Sequence, residues 1–313
     1  MHLIVAFAAP SRSDAGRRAL TTVQAPTLQA LLGPWRETQR DVSGDETRLS
    51  MPHERALARA FDWALNDGLL PWAARLAQHD GIAVGNQAWG LVSPTHWRLG
   101  SDRIDLVDPE ALALDAPVSR QLFDSAAPVF EAAGFRLAWG APQRWYAAHE
   151  SLRSLATASL DRVAGRNIEP WLPDRIASRA LRRLQSEVQM LWHTHPVNSA
   201  REAAGALPIN SFWLSACGVV QSVAADAQAL LEQDLRSAAL AEDWPAWTEA
   251  WRALDAGPIA QLATAFAHGQ AVQLTLCGER GSLTLAPQPR AWWQRLRDLW
   301  SPPPSLAQLL EAL

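Results

Sequence analysis

The stretch 195-HPVNSAREAAGALPINSFWLSACG-218 decides how this chain of 313 residues is read. It sets unusual polar residues immediately before a buried-looking strand. Asn198, Arg201 and Asn210 can bind an anion or satisfy backbone groups. Phe212, Trp213 and Leu214 form an apolar run ending at Cys217-Gly218, the pattern of a strand followed by a turn. Upstream, a helix over about Pro173 to Trp192 turns Ile176, Ala180, Leu184, Val188 and Leu191 inward, and Pro196 ends it. His193 and His195 form a His-x-His pair. A helix before it and a proline after it set the two imidazoles apart, and no Cys or Asp cluster completes a metal site. His195 and Asn198 suit capping or backbone satisfaction. Asn198 with Arg201 suits a small anion, because the planar guanidinium pairs bidentately with carboxylate or phosphate.

Working outward, helices alternate with short apolar strands. LIVAFA near the start reads as a first core strand. Leu57, Phe61 and Leu65 mark one helix face, with Ser50 as its cap and Gly68 as its stop. Ile104 and Leu106 alternate as a strand, as do Phe135, Leu137 and Trp139. Between them Leu122, Phe123, Ala126, Val129 and Phe130 recur at helical spacing from about Ser119, with a kink or break expected at Pro128. After the Trp213 strand, helices are expected over Ala224 to Ala241, Trp244 to Ala256 and Pro258 to His268. VQLTLC and SLTLAP, separated by GERG, read as a hairpin. Ser301 to Pro304 reads as a linker before a short terminal helix.

The chain is 48% hydrophobic and 19% charged, enough to bury a large core, and its net charge of −4 argues against a nucleic-acid partner. All 28 cations are Arg, which reflects coding bias rather than a phosphate-binding device. MHLIVAFAAP lacks the basic region of an export signal, and no window nears the roughly twenty apolar residues of a membrane span. The expected location is therefore the cytoplasm, with no membrane partner. Cys217 and Cys277, each followed by Gly, read as small buried thiols rather than a disulfide framework. Among sixteen Trp, the stripe Trp244, Trp247, Trp251 with Leu254 is expected to be core, with Asp243 as cap and Pro245 in the first turn. Trp292, Trp293 and Trp300 are the candidates for a protein interface, because little local core is available to cover them.

The 195–218 segment resembles the archaeal-type cofactor-independent phosphoglycerate mutases of the alkaline-phosphatase superfamily. In that family an HPVN-x-x-R stretch leads, through small residues and a proline, to an Asn, an apolar strand containing Trp, and a Gly. Here these are His195, Pro196, Val197, Asn198, Arg201, Pro208, Asn210, Trp213 and Gly218. A second, fainter resemblance runs from HWRLGSDRIDLVDPEALALD to GFRLAWGAPQRWYA, which is similar to the lobe such mutases insert into their core. The length and opening also resemble the bacterial regulatory proteins of RpfE type. The resemblance implies an α/β fold: an alkaline-phosphatase-like core sheet flanked by helices, with an inserted smaller α/β lobe. Residues 1–89 and 161–313 would form the core, with LIVAFA and SFWLSAC in one sheet, and residues 90–160 the lobe.

The family's chemistry needs two metal ions, about seven Asp and His ligands and a Ser or Thr nucleophile. Here the departure is large. The first strand, which should end in Asp, ends in Ala8, Ala9 and Pro10, and His268 is the only His after His195. The resemblance therefore implies a scaffold without its dinuclear centre: no catalytic residue, no metal and no cofactor. The leading expectation is a non-catalytic regulatory or binding protein, with His195, Asn198, Arg201 and Asn210 converging near the C-terminal edge of the core sheet to hold a small phosphorylated or carboxylate ligand. The alternative is an active mutase or phosphatase with substituted metal ligands.

Overall fold

Leu3, Ile4 and Val5 are completely buried, as an apolar run bounded by a turn requires of a central strand. In a computed structural model, residues 1–10, 13–42, 47–174, 176–224, 228–288 and 305–313 are described. Their strands are β1 (His2–Val5), β2 (Trp35–Val42), β3 (Ala88–Leu99), β4 (Ile104–Val107), β5 (Arg136–Ala141), β6 (Arg144–Ala148), β7 (Ser211–Val219), β8 (Ala229–Glu232), β9 (Gln273–Cys277) and β10 (Gly281–Pro287). The protein is α/β, with two sheets flanked by helices. It divides into two compact units, one of residues 1–47, 51–62 and 223–313, the other of 48–50 and 63–222.

The first unit carries a sheet of order β2-β10-β9-β1-β8. β1 lies parallel to both β8 and β9, while β10 runs antiparallel to β9 and β2. One face, through Leu3 and Val5, packs on a core that includes Trp247, Trp251 and Leu254. The Trp stripe is core as the helical spacing predicts: the helix Trp244–Leu254 buries Trp247 and Trp251 fully, and Asp243 caps it by accepting from the Ala246 N–H. The GERG hairpin also forms as expected, as β9 and β10.

In the second unit β3 is the organising strand. Its residues 88–95 pair with β7 on one side, and on the other side it pairs with β6 and then with β4, all antiparallel. The helices Ala116–Ala132 and Arg179–His193 bury Leu122, Phe130, Leu184 and Val188 in the same core as Phe212 and Leu214.

This arrangement corrects several expectations. Leu3 to Val5 and Ser211 to Ala216 belong to different sheets, because β7 takes β3, not β1, as its partner. The two compact units divide at 62/63 and 222/223, with residues 48–50 counted to the second. β7 runs on through Cys217 and Gly218 to Val219, with a bulge opposite Trp89 and Leu91, where the strand was expected to turn. Gly90 lies opposite that bulge, where a Cβ would lie 2.8 Å from Leu214 Cδ1 and 3.1 Å from Cys217 Sγ and would push those side chains aside. Pro128 sits inside a continuous helix without breaking it. The expected helix over Ala224–Ala241 is instead strand β8 followed by the helix Arg236–Leu240, because parallel pairing with β1 overrides the helical propensity of ALLE. The helix expected from Pro173 begins at Arg179, and Ile176 is exposed rather than inward. Ser50 does not cap a helix. Its Oγ accepts from the Gly68 N–H at 2.8 Å, while the helix Pro52–Ala60 starts at Met51 and ends before Leu65. No helix among the described residues is long and apolar enough to cross a membrane.

Candidate functional site

His195 is the N-cap of the helix Pro196–Ala203. Its Nδ1 accepts from the Val197 N–H at 3.2 Å, and Pro196 occupies the first helical turn, where its missing N–H costs nothing. Asn198, in the same first turn, is 3% exposed and fully engaged. Its Nδ2 donates to the carbonyls of Trp192 and Ile209, each at 2.8 Å, and its Oδ1 accepts from the Ile209 N–H at 2.8 Å. One side chain thus ties the end of one helix and the start of the next to the approach of β7.

Arg201 continues the same work. Its Nε donates to the Leu207 carbonyl at 2.8 Å and its Nη2 to the Leu112 carbonyl at 2.7 Å. Asn210 makes a paired contact with Trp97: Oδ1 accepts from the Trp97 N–H at 2.7 Å, and Nδ2 donates to the Trp97 carbonyl at 2.9 Å. A side-chain amide here stands in for one residue of a strand ladder. His96 adds a further strap, with Nδ1 2.8 Å from the Pro208 carbonyl.

The four residues singled out in the sequence therefore gather around the entry to β7, linked through Ile209 and the 204–210 connection. They do so before the N-terminal end of an antiparallel strand, not at the C-terminal edge of a parallel one. The polar atoms described above bond to backbone groups, the arrangement expected of a closure that must stay buried without orphaned amides. Trp292, Trp293 and Trp300 lie outside the described residues.

The C-terminal end of β1 is where an open α/β sheet ordinarily holds a ligand. Ala6 donates to the Glu232 carbonyl at 2.9 Å, and Ala8 donates to the Cys277 carbonyl at 2.7 Å. Between them Phe7 adopts φ +55°, a left-handed conformation rare for an aromatic residue, and its carbonyl accepts from Trp247 Nε1 at 3.0 Å. Ala6 and Ala8 are fully buried, and Ala9 is nearly so. The last described segment covers this edge. The helix Leu306–Glu311, started by a Ser305/Gln308 capping box, puts Leu306, Leu310 and Leu313 into the same core as Phe7, Ala8 and Ala9. The Leu313 carbonyl accepts from the N–H groups of Arg280 and Gly281, both at 3.1 Å. Gly278 allows this approach, since a Cβ on it would lie 2.7 Å from the Leu313 backbone. What remains open is a cavity of about 290 Å³ lined by Ala9, Pro10, Arg17, Glu279, Arg280 and Glu311. The signal for this cover was the Ser-x-x-Gln spacing at 305–308, a capping pattern in a segment the sequence reading treated only as a short helix.

Among the described residues no group of three or more His, Cys, Asp or Glu is arranged to hold a metal ion. Cys217 and Cys277 are both buried free thiols in different sheets; burial pushes Cys217 up to about 12 and raises Cys277 as well, so neither is a thiolate nucleophile at neutral pH.

No known family model and no curated protein matches the chain. Solved structures similar to it at a distance include two from archaeal sources. One is a cofactor-independent phosphoglycerate mutase from Thermoplasma acidophilum DSM 1728, at 13% identity over 91% of this chain and 88% of that one, with a TM-score of 0.35. The other is the PH0037 protein from Pyrococcus horikoshii, at 11% identity over 91% of this chain and 87% of that one, with a TM-score of 0.48.

Proposed function

We propose that the chain is a non-catalytic regulatory or binding protein built on a degenerate phosphoglycerate-mutase-like scaffold. The HPVN-x-x-R segment and its Asn-strand-Gly continuation carry the resemblance to the mutases. The observation that carries the loss of activity is the end of β1: where such a mutase has a metal-binding Asp, this chain has Ala6, Phe7, Ala8 and Ala9, buried and covered by Leu306, Leu310 and Leu313. A divalent ion needs hard oxygen or imidazole ligands and an open coordination position. Methyl groups and leucine side chains offer neither. His195, Asn198, Arg201 and Asn210 serve the fold in this reading, because their bonds close the loop before β7.

The test is direct. The 313-residue protein, supplied in turn with manganese, cobalt and magnesium, is given 3-phosphoglycerate and followed by phosphorus NMR. The expected spectrum keeps the substrate unchanged, with neither 2-phosphoglycerate nor free phosphate above the protein-free control. Interconversion accompanied by two bound metal ions per chain would overturn the proposal in favour of an active mutase with substituted ligands.

A further inference from the structure

The helix Pro52–Ala60 packs on a face of the first sheet that is apolar only in part. Ile4, Ala56 and Cys277 form a small apolar patch beneath it. Toward the N-terminal ends of β1 and β9 the same face becomes polar. His2 Nε2 lies 2.7 Å from Thr275 Oγ1, which lies 2.8 Å from Thr284 Oγ1, so three polar side chains form a row across β1, β9 and β10. Thr275 is 1% exposed and Thr284 8% exposed, a burial tolerated because each hydroxyl has a partner. Burial also lowers the His2 pKa to about 4, which leaves the imidazole neutral at pH 7.

Beside this row stands an ion-pair cluster. Asp41 Oδ2 accepts from Arg55 Nε at 3.0 Å and from Arg59 Nη2 at 3.2 Å, one carboxylate oxygen between two guanidinium groups. Arg55 is buried, whereas Arg59 faces a cavity of about 470 Å³ together with His2, Gln39, Gln273, Thr275 and Thr284. That volume is in the range of small-molecule sites, about 300–1,000 Å³. With His2 neutral, Arg59 is the only charged group among the described residues that line the cavity.

We infer that this groove binds a small hydroxylated monocarboxylate, with Arg59 taking the carboxylate and Gln39, Gln273 and the His2–Thr275–Thr284 row taking the hydroxyls. The chemistry selects this class on two counts. Amide, hydroxyl and neutral imidazole groups both donate and accept, as hydroxyl recognition requires, and a guanidinium matches a carboxylate. A second negative charge finds no second cation among the described residues that line the cavity. The site lies at the strand end opposite the edge covered by Leu306 to Leu313, so it goes beyond the scaffold reading and does not depend on it.

The experiment is calorimetric titration of the whole chain with gluconate, sorbitol and inorganic phosphate. Gluconate is expected to bind saturably at one site, about tenfold or more tighter than sorbitol, the advantage of one charge-assisted pair, and tighter than phosphate. Arg59→Gln should remove the advantage of gluconate and leave sorbitol where it was. Because Arg59 also touches Asp41, Gln273→Ala provides a second variant: it should weaken gluconate and sorbitol together at an unchanged melting temperature. No saturable gluconate binding, equal affinities for gluconate and sorbitol, tightest binding of phosphate, or gluconate affinity untouched by both substitutions would each overturn the inference.

Discussion

Two clusters of polar residues in this molecule, one before β7 and one under the Pro52–Ala60 helix, are used in opposite ways. Before β7, side chains bond to backbone: Asn198 to Trp192 and Ile209, Arg201 to Leu207 and Leu112, Asn210 to Trp97. On the first sheet, side chains bond mainly to side chains: His2 to Thr275, Thr275 to Thr284, Arg55 and Arg59 to Asp41. The difference has an energetic meaning. A side chain that satisfies backbone cannot be removed without orphaning a group that stays behind, whereas hydroxyls that satisfy one another can be removed together. The conspicuous motif thus has its side chains on backbone groups, and the unremarkable strand residues face a cavity.

The contrast is most exposed to failure at Asn198. Asn198→Ala leaves the buried Ile209 N–H and C=O without the amide that meets them, and should cost about 3 kcal/mol in urea unfolding. A loss below about 1 kcal/mol would mean that water replaces the amide and that the motif is not a closure. Arg201→Ala should come next, lowering the stability of the ligand-free protein by about 1–2 kcal/mol, because two carbonyls lose a charged donor. An unchanged melting temperature would return Arg201 to the role of anion binder. The double substitution Thr275→Val with Thr284→Val should cost about 1 kcal/mol, since the two hydroxyls removed are partners of each other and only His2 Nε2, beside the cavity, loses a partner. A penalty as large as that of Asn198→Ala would erase the distinction between the two regions.

At neutral pH the smallest expected effect is the one carried by His2, which emerges only on acidification. Its folded pKa of about 4 lies below the ordinary 6.5, so between those values the unfolded chain binds a proton that the folded one does not. Stability contributed by the neutral ring is therefore complete above pH 6.5 and falls as the pH drops toward 4. Unfolding curves across that interval should be steeper in pH for the wild type than for His2→Gln. Identical slopes would mean that the ring is hydrated and the floor of the groove is wet.

What the sequence made legible was local. The stripe Trp244, Trp247, Trp251 and Leu254 follows from a 3.6-residue period with Asp243 and Pro245 at its start, and the β9–β10 hairpin follows from alternation on either side of GERG. The partner of β7 was not legible, because its run SFWLSAC is buried but for a half-buried Ala216 and reads alike in a parallel or an antiparallel sheet. Its partner β3 was missed for a physical reason as well: AWGLVSPTHWRL contains Gly90 and Pro94, which argue against a central strand, and here Gly90 lies at a bulge. In the HPVN segment the residue types suit an anion and a backbone clamp equally well, and the sequence does not show that Ile209, Leu112 and Trp97 lie within reach of them. The groove left no linear trace, since His2, Asp41, Arg59, Thr275 and Thr284 meet only through the register of four strands and one helix.

The placement of β1 also bears on how the protein is born. Its two neighbours, β8 and β9, begin at residues 229 and 273, whereas residues 63–222, the body of the other unit, are complete before either has been translated. At about 5–20 residues per second, the strand Leu3-Ile4-Val5 leaves the ribosome on the order of ten seconds or more before anything can pair with it. During that interval a run destined for complete burial is an open edge in the nascent chain. Synthesis is therefore the period when β1 is most open to mispairing, and a circular permutant that moves residues 1–62 to follow residue 222 would shorten the wait for β8 to the time needed to translate about sixty residues.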